Sequence, residues 1–227
     1  IKNRGVLLIP TLALERAQEL LMELNELLTH KQVPLIPIYV DSPLIISATK
    51  VFDRYQSYFG KQTAEVESHT PGIFSFPGVK FTLSREESKM INEAPAPKII
   101  IAGSGMSTGG RILYHEARYL SDPKNILLII AYQAQGTRGR QLAEGARRVN
   151  IHGVSVPVHA KIITIHGYSG HADQPELLRY LKCIKKPVQK VFVVQGEVEP
   201  AESLALKIRD QLGLAAEVPT PGQEVEL

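Results

Sequence analysis

Tryptophan is absent from this chain, cysteine occurs once, and aromatic residues make up only 6% of its 227 positions. A single Cys183 leaves no partner for an intrachain disulfide, which excludes a disulfide-stapled miniprotein and fits a reducing, cytoplasmic compartment. Its small size suits an apolar filler in a helix. No apolar run reaches the ~18 residues of a membrane span, and the N-terminus lacks the layout of a secretory signal. Charge of one sign is lacking too: 26 Lys and Arg against 23 Asp and Glu leave a formal +3. That balance gives little long-range pull toward nucleic acid, so local clusters count for more, above all Arg138, Arg140, Arg147 and Arg148. A solvated face explains such a cluster equally well. With 44% hydrophobic and 22% charged residues, the chain has the proportions of a globular protein large enough to fold around its own core.

Strand-length apolar runs alternate with segments of helical period, without internal repeats. Val6 to Ile9 predicts a strand that Pro10 stops. Ala17, Leu20, Leu21, Leu24, Leu27 and Leu28 then recur at spacings of three and four, predicting an amphipathic helix over Glu15 to Leu28. Leu35 to Val40 predicts a second strand. Asp41-Ser42-Pro43 follows as a helix start with Pro at its first position, and that helix runs to about Tyr58. Gly60 to Phe81 is mixed, punctuated by Pro71-Gly72 and Pro77-Gly78. Ser84 with Glu87 makes a capping-box pattern. Lys98 to Ala102 and Asn125 to Ala131 read as continuous apolar strands, with a helix from Arg111 to Leu120 between them. This alternation predicts a mainly parallel α/β sheet covered by helices on both faces. Near Gly145 the texture changes to short strands over 147–151, 154–156 and 161–165, an antiparallel-looking set. A helix from Gln174, a strand at 190–194, a helix at 201–212 and a last strand near 215–218 complete the chain. Two units result, 1–145 and 146–227.

Three segments carry chemistry. Gly103 to Gly110 joins a buried strand to a helix, where backbone N–H groups and the helix dipole make a phosphate cradle; a tight strand-helix turn is the plainer reading. It is neither a Walker A loop nor a regular dinucleotide fingerprint. Tyr132 to Arg140 follows the next strand in the same way, its amides and guanidiniums suited to a nucleic-acid backbone. Loops after two parallel strands share one sheet edge, so a common anionic ligand is expected there. His166 to Asp173 sets two histidines among small residues at a strand-to-helix junction, a place for proton transfer. His30, His69, His115, His152 and His159 lack such a setting, and His115-Glu116 lacks the second His of a zinc-protease helix.

In order, Leu8-Ile9-Pro10 with Glu15 to Leu20, Asp41-Ser42-Pro43-Leu44, the Gly-Ser-Gly-Met loop, Tyr132 to Arg140 and Ser169-Gly170-His171-Ala172-Asp173 resemble the β-CASP branch of the metallo-β-lactamase superfamily. That branch holds RNA-processing nucleases, including relatives of the cleavage and polyadenylation nuclease subunit. The resemblance covers nearly the whole chain. It implies a β-CASP domain over 1–145, and over 146–227 the C-terminal portion of a metallo-β-lactamase αββα domain. It also implies two zinc ions and RNA as substrate. The N-terminal metallo-β-lactamase part with its H-x-H-x-D-H ligands does not occur in these residues, so the chain is expected to be a fragment beginning at Ile1, inactive alone and open to homodimerisation through unpaired strand edges.

By the same resemblance His171 is the catalytic proton donor, while Ser42, Ser104, Gly105, Arg111, Gln135 and Arg138 hold the RNA backbone. No metal ligand is expected in this chain. Gln195 stands in Val194-Gln195-Gly196-Glu197 where the family has a zinc-ligating His, and an amide is a poor substitute for imidazole at zinc. Two other readings remain: a non-catalytic RNA-binding scaffold that has lost its zinc chemistry, and a nucleotide-binding α/β protein using the Gly103 loop alone.

Overall fold

The computed structural model describes residues 4–61, 63 and 72–225. Ile1, His69 and Pro71, which figure in the sequence reading, lie outside the described residues. Two compact units emerge, Ile1–Ser169 and Gly170–Leu227.

The first unit is built on a parallel sheet of strands β1 (Val6–Pro10), β2 (Ile38–Val40), β3 (Val79–Phe81), β4 (Lys98–Ala102), β5 (Ile126–Ile129) and β8 (Lys161–Thr164), in the order β3-β2-β4-β1-β5-β8. Strand β4 explains why both faces must be covered. Successive side chains point to opposite faces, and Ile99 and Ile101 pack into one apolar cluster while Ile100 and Ala102 pack into another. On the Ile99 side lie α1 (Arg16–Thr29), through Ala17, Leu20 and Leu21, and α2 (Pro43–Arg54), through Ile45 and Ile46. On the Ile100 side lie α4 (Ile112–Tyr119), through Ile112 and Leu113, and α5 (Arg138–Ala143), through Leu142. The expected parallel α/β sheet flanked by helices is thus present.

Helix starts follow the local chemistry. Ser42 accepts a hydrogen bond from Ile45 N at 3.4 Å, with Pro43 opening α2. Helix α3 (Arg85–Met90) has the full capping box: Glu87 N donates to Ser84 Oγ at 3.0 Å, and Ser84 N donates to Glu87 Oε2 at 2.9 Å. Helix α2 stops at Arg54, and a separate 3₁₀ turn covers Gln56–Tyr58.

Beyond residue 145 the pairing of one strand differs from the sequence reading. Strands β6 (Arg148–Ile151) and β7 (Val154–Pro157) do form an antiparallel hairpin. Strand β8, grouped with them by texture, instead runs parallel to β5, with Ile126 opposite Lys161 and Ile129 opposite Thr164. The first compact unit therefore continues to Ser169, because β8 finds its hydrogen-bonding partners on the open edge of β5.

The second unit holds α6 (Gln174–Lys182), β9 (Val191–Phe192), α7 (Val198–Leu212) and β10 (Ala216–Glu217). β9 and β10 form a two-stranded parallel sheet. Its core is small, centred on Leu178, Ala205, Ile208 and Ala216. Among the described residues no helix is long and apolar enough to cross a membrane.

Candidate functional site at the carboxyl edge of the sheet

The loops leaving β1, β2, β4 and β5 converge at the carboxyl edge of the parallel sheet, where such sheets present their ligand crevice. Their approach is close. A Cβ on Gly105 would lie 3.0 Å from Leu12 N, and one on Gly103 would lie 3.7 Å from both Ser42 Oγ and Thr11 O. Gln133, in the loop after β5, donates from Nε2 to Gly105 O at 2.9 Å. Ser42, the Gly103–Gly110 loop and the Tyr132–Arg140 loop thus share one edge.

The glycine-rich loop is closed by hydrogen bonds of its own. Ser104 Oγ accepts from Thr108 N at 3.0 Å and Gly109 N at 3.1 Å, so two of the amides a phosphate would take are bonded inside the loop. Gly110 is indispensable to this closure. It has φ +74°, and an added Cβ would meet the Gly103 carbonyl oxygen at 2.3 Å. Gly110→Ala is expected to destabilise the first unit by about 2 kcal/mol, from backbone strain and the main-chain clash. A urea titration checks this, and an unchanged midpoint would contradict the assigned turn.

The two expected RNA-holding arginines are committed within the protein. Arg138 Nε donates to Asn150 O at 2.8 Å and its Nη1 to Ser107 O, tying α5 to β6 and to the glycine-rich loop. Arg111 donates to Asp41 Oδ1 at 2.7 Å, Thr82 O at 3.0 Å and Leu83 O at 2.7 Å. Of the arginine cluster noted in sequence, Arg140 pairs with Glu144 at 2.5 Å, and Arg148 donates to Ser155 Oγ and Ser155 O. Gln135 is exposed in the loop after β5.

The centre of this edge is a residue that sequence reading took only as the lead into a helix. Asp41 is fully buried at the end of β2. Besides Arg111, it accepts from Thr82 Oγ1 at 2.7 Å, Ser88 Oγ at 2.6 Å and His115 Nε2 at 2.7 Å. Burial pushes its carboxyl up, but the hydrogen bonds from His115, Ser88, Thr82 and Arg111 outweigh that and hold it at about 2. Because the ionised carboxylate can only accept, His115 must carry a hydrogen on Nε2. A second buried acid, Glu116, accepts from Ser107 Oγ through Oε1, while its Oε2 has no partner among the described residues. Burial raises the Glu116 carboxyl to about 7, against the lowering effects of the Ser107 hydrogen bond and the Arg138 charge.

In the second unit His171 and Gln195 are both exposed. His171 precedes α6, whose start is fixed by a capping box between Asp173 and Glu176. Gln195 lies at φ 63°, just ahead of α7. Among the described residues no three His, Cys, Asp or Glu side chains gather as a metal site. The residues described therefore do not by themselves fit zinc.

Residues 17–142 match the Beta-Casp domain, and residues 155–219 match the Zn-dependent metallo-hydrolase RNA specificity domain. Ribonuclease TTHA0252 of Thermus thermophilus is 40% identical over 217 residues, covering 93% of this chain and 48% of that protein. An RNase J-like protein of Methanocaldococcus jannaschii is 35% identical over 222 residues, 98% of this chain and 50% of its own length. The transcription termination factor FttA of Thermococcus kodakarensis is 34% identical over 227 residues, 96% of this chain and 34% of that protein. This chain thus spans half or less of these curated relatives. With its parallel sheet, its flanking helices and a profile match over most of the first unit, the chain belongs to the β-CASP family.

Proposed function

We propose that this chain is the RNA-holding portion of a zinc-dependent ribonuclease and is hydrolytically silent by itself. The observation that carries the reading is the conjunction, in one chain, of a β-CASP sheet with converging carboxyl-edge loops and a following stretch that matches an RNA specificity domain. In this reading the metal ligands come from a metallo-β-lactamase segment outside these residues, and His171 protonates the leaving oxygen of the cleaved phosphodiester. His171 is exposed. The small core of the second unit and its two-stranded sheet support a missing partner segment or a second copy on the unpaired edges. The single Cys183, an exposed free thiol, supports a cytoplasmic location.

Ser42, Ser104, Gly105 and Gln135 remain the candidates to contact RNA at this edge. Arg111 and Arg138 act in this proposal chiefly by fixing the loops that do so, since their guanidiniums are already engaged. Labelled single-stranded RNA should bind the purified chain, weaken as salt rises, and stay intact with added zinc. No binding would refute the holding role. Zinc-dependent cleavage lost in His171→Ala would refute the silence of the isolated chain.

Gln195 favours one second reading, a scaffold paralogue without zinc chemistry. In the protein carrying the preceding segment, Gln195→His should increase bound zinc if the nuclease reading holds. Unchanged metal content would favour the scaffold.

A further inference from the structure

Beside the glycine-rich turn, the first unit holds a cleft of about 770 Å³, within the range of small-ligand sites. One wall comes from α3. Arg85, Ser88 and Lys89 fall three and four residues apart, on one face of that helix, and all line the cleft. The acids of α3 do not offset these cations. Glu87 is turned back onto its own helix start, accepting from Leu83 N at 2.7 Å and Ser84 N at 2.9 Å, and Glu86 does not line the cleft. No Asp or Glu is among the lining residues. Arg111 also lines it, with its charge answered by Asp41, so the cations available to a ligand are Arg85 and Lys89.

The lining also has an aromatic part. Tyr114, on α4, is 66% exposed. Its ring lies 4.8 Å from the His152 ring with 31° between the planes, and both line the cleft. His152 comes from the turn between β6 and β7, at φ 51°. The imidazole thus packs against the tyrosine ring from another element, and the exposed Tyr114 ring is left as a stacking surface. An exposed aromatic ring and two cations without acids beside them, lining one cleft of nucleotide size, match the chemistry of a base joined to its phosphate.

We propose that this cleft is a nucleotide subsite in which a base of single-stranded RNA stacks on Tyr114 while its phosphate is held by Arg85 and Lys89. The proposal rests on the RNA-holding reading above and assigns it residues that reading does not use. Gly109 and Gly110 line the same cleft, which puts it next to the glycine-rich loop.

The test is fluorescence anisotropy of a labelled single-stranded oligoadenylate with the full chain. Tyr114→Ala should weaken binding about tenfold or more, whereas Tyr114→Phe should stay within about twofold of the parent, since stacking needs the ring and not the hydroxyl. The double variant Arg85→Ala, Lys89→Ala should weaken binding and flatten the slope of log affinity against log salt by about 1.4, the loss of two phosphate contacts on a single strand. All three positions lie on the cleft surface, and thermal melting followed by circular dichroism should match the parent. Should Tyr114→Ala fail to fold, the arginine-lysine double variant decides. Parental affinity in folded cleft variants would overturn the subsite and leave the RNA-holding reading standing. A parent chain with no affinity for the oligonucleotide would overturn both.

Discussion

Asp41→Ala is expected to cost about 3–5 kcal/mol of stability, the range for removing one member of a buried charged cluster. The carboxylate is the common acceptor for side chains from the loop after β3, from α3, from the start of α4 and from α4 itself. Its loss removes the anion that answers the Arg111 charge and leaves the buried His115 ring N–H without its acceptor. The pH signature separates this from a simple cavity. Folding lowers the Asp41 carboxyl from 3.8 to about 2, so its contribution is complete above 3.8 and is lost as pH falls through about 2. The parent should lose stability between those limits, and Asp41→Ala should lack that component of the acid transition. Urea midpoints from pH 6 to pH 2 read both effects. Parallel profiles for the two proteins would refute the central place given to Asp41.

The same residue shows where reading a sequence stops. Features written in neighbouring residues were legible: the Lys98–Ala102 strand, the Ser84–Glu87 capping box and Pro43 at the start of α2 are all present as expected. Each is decided within a few positions by propensity, period or a single hydrogen bond. Asp41 and His115 are 74 residues apart, and nothing in either neighbourhood announces the other. His115 carries no second histidine at a metal-binding interval, so its sequence context pointed nowhere. Only parallel pairing of β2 with β4 brings the two together, by setting the loop after one strand beside the helix after the other.

The arginines show the converse. A dense local signal at 138, 140, 147 and 148 invited a nucleic-acid reading, yet three of the four guanidiniums answer protein carbonyls, a hydroxyl or a carboxylate. Thr137 caps α5 where a loop was expected, and the hairpin β6–β7 supplies Asn150 O to Arg138 and Ser155 to Arg148. Composition shows how many cations lie in a stretch of chain. Whether they remain for a ligand depends on acceptors contributed by other elements. Arg85 and Lys89 on α3 line a cleft that has no Asp or Glu in its lining, yet they are interleaved with two glutamates in sequence and raise no compositional signal.

Glu116→Gln should stabilise the protein at pH 8 by about 3 kcal/mol and leave it nearly unchanged at pH 4. The unfolded carboxyl ionises near 4.5, whereas the buried one holds its proton up to about 7. Stability from the neutral acid is therefore complete below 4.5 and is lost as pH rises through about 7. Each tenfold change in proton affinity corresponds to about 1.4 kcal/mol, which converts the interval into the stated effect. Glutamine keeps an oxygen to accept from Ser107 Oγ and cannot ionise, so it should abolish that loss. The consequence extends beyond the side chain. Glu116 holds Ser107, and the Ser107 carbonyl holds Arg138, so ionisation places charge where α4, the glycine-rich loop and α5 are joined. Melting temperatures of parent and variant should accordingly diverge from pH 5 upward and run parallel above about pH 8. A difference independent of pH would show that Glu116 is already ionised in the fold and that its burial is compensated.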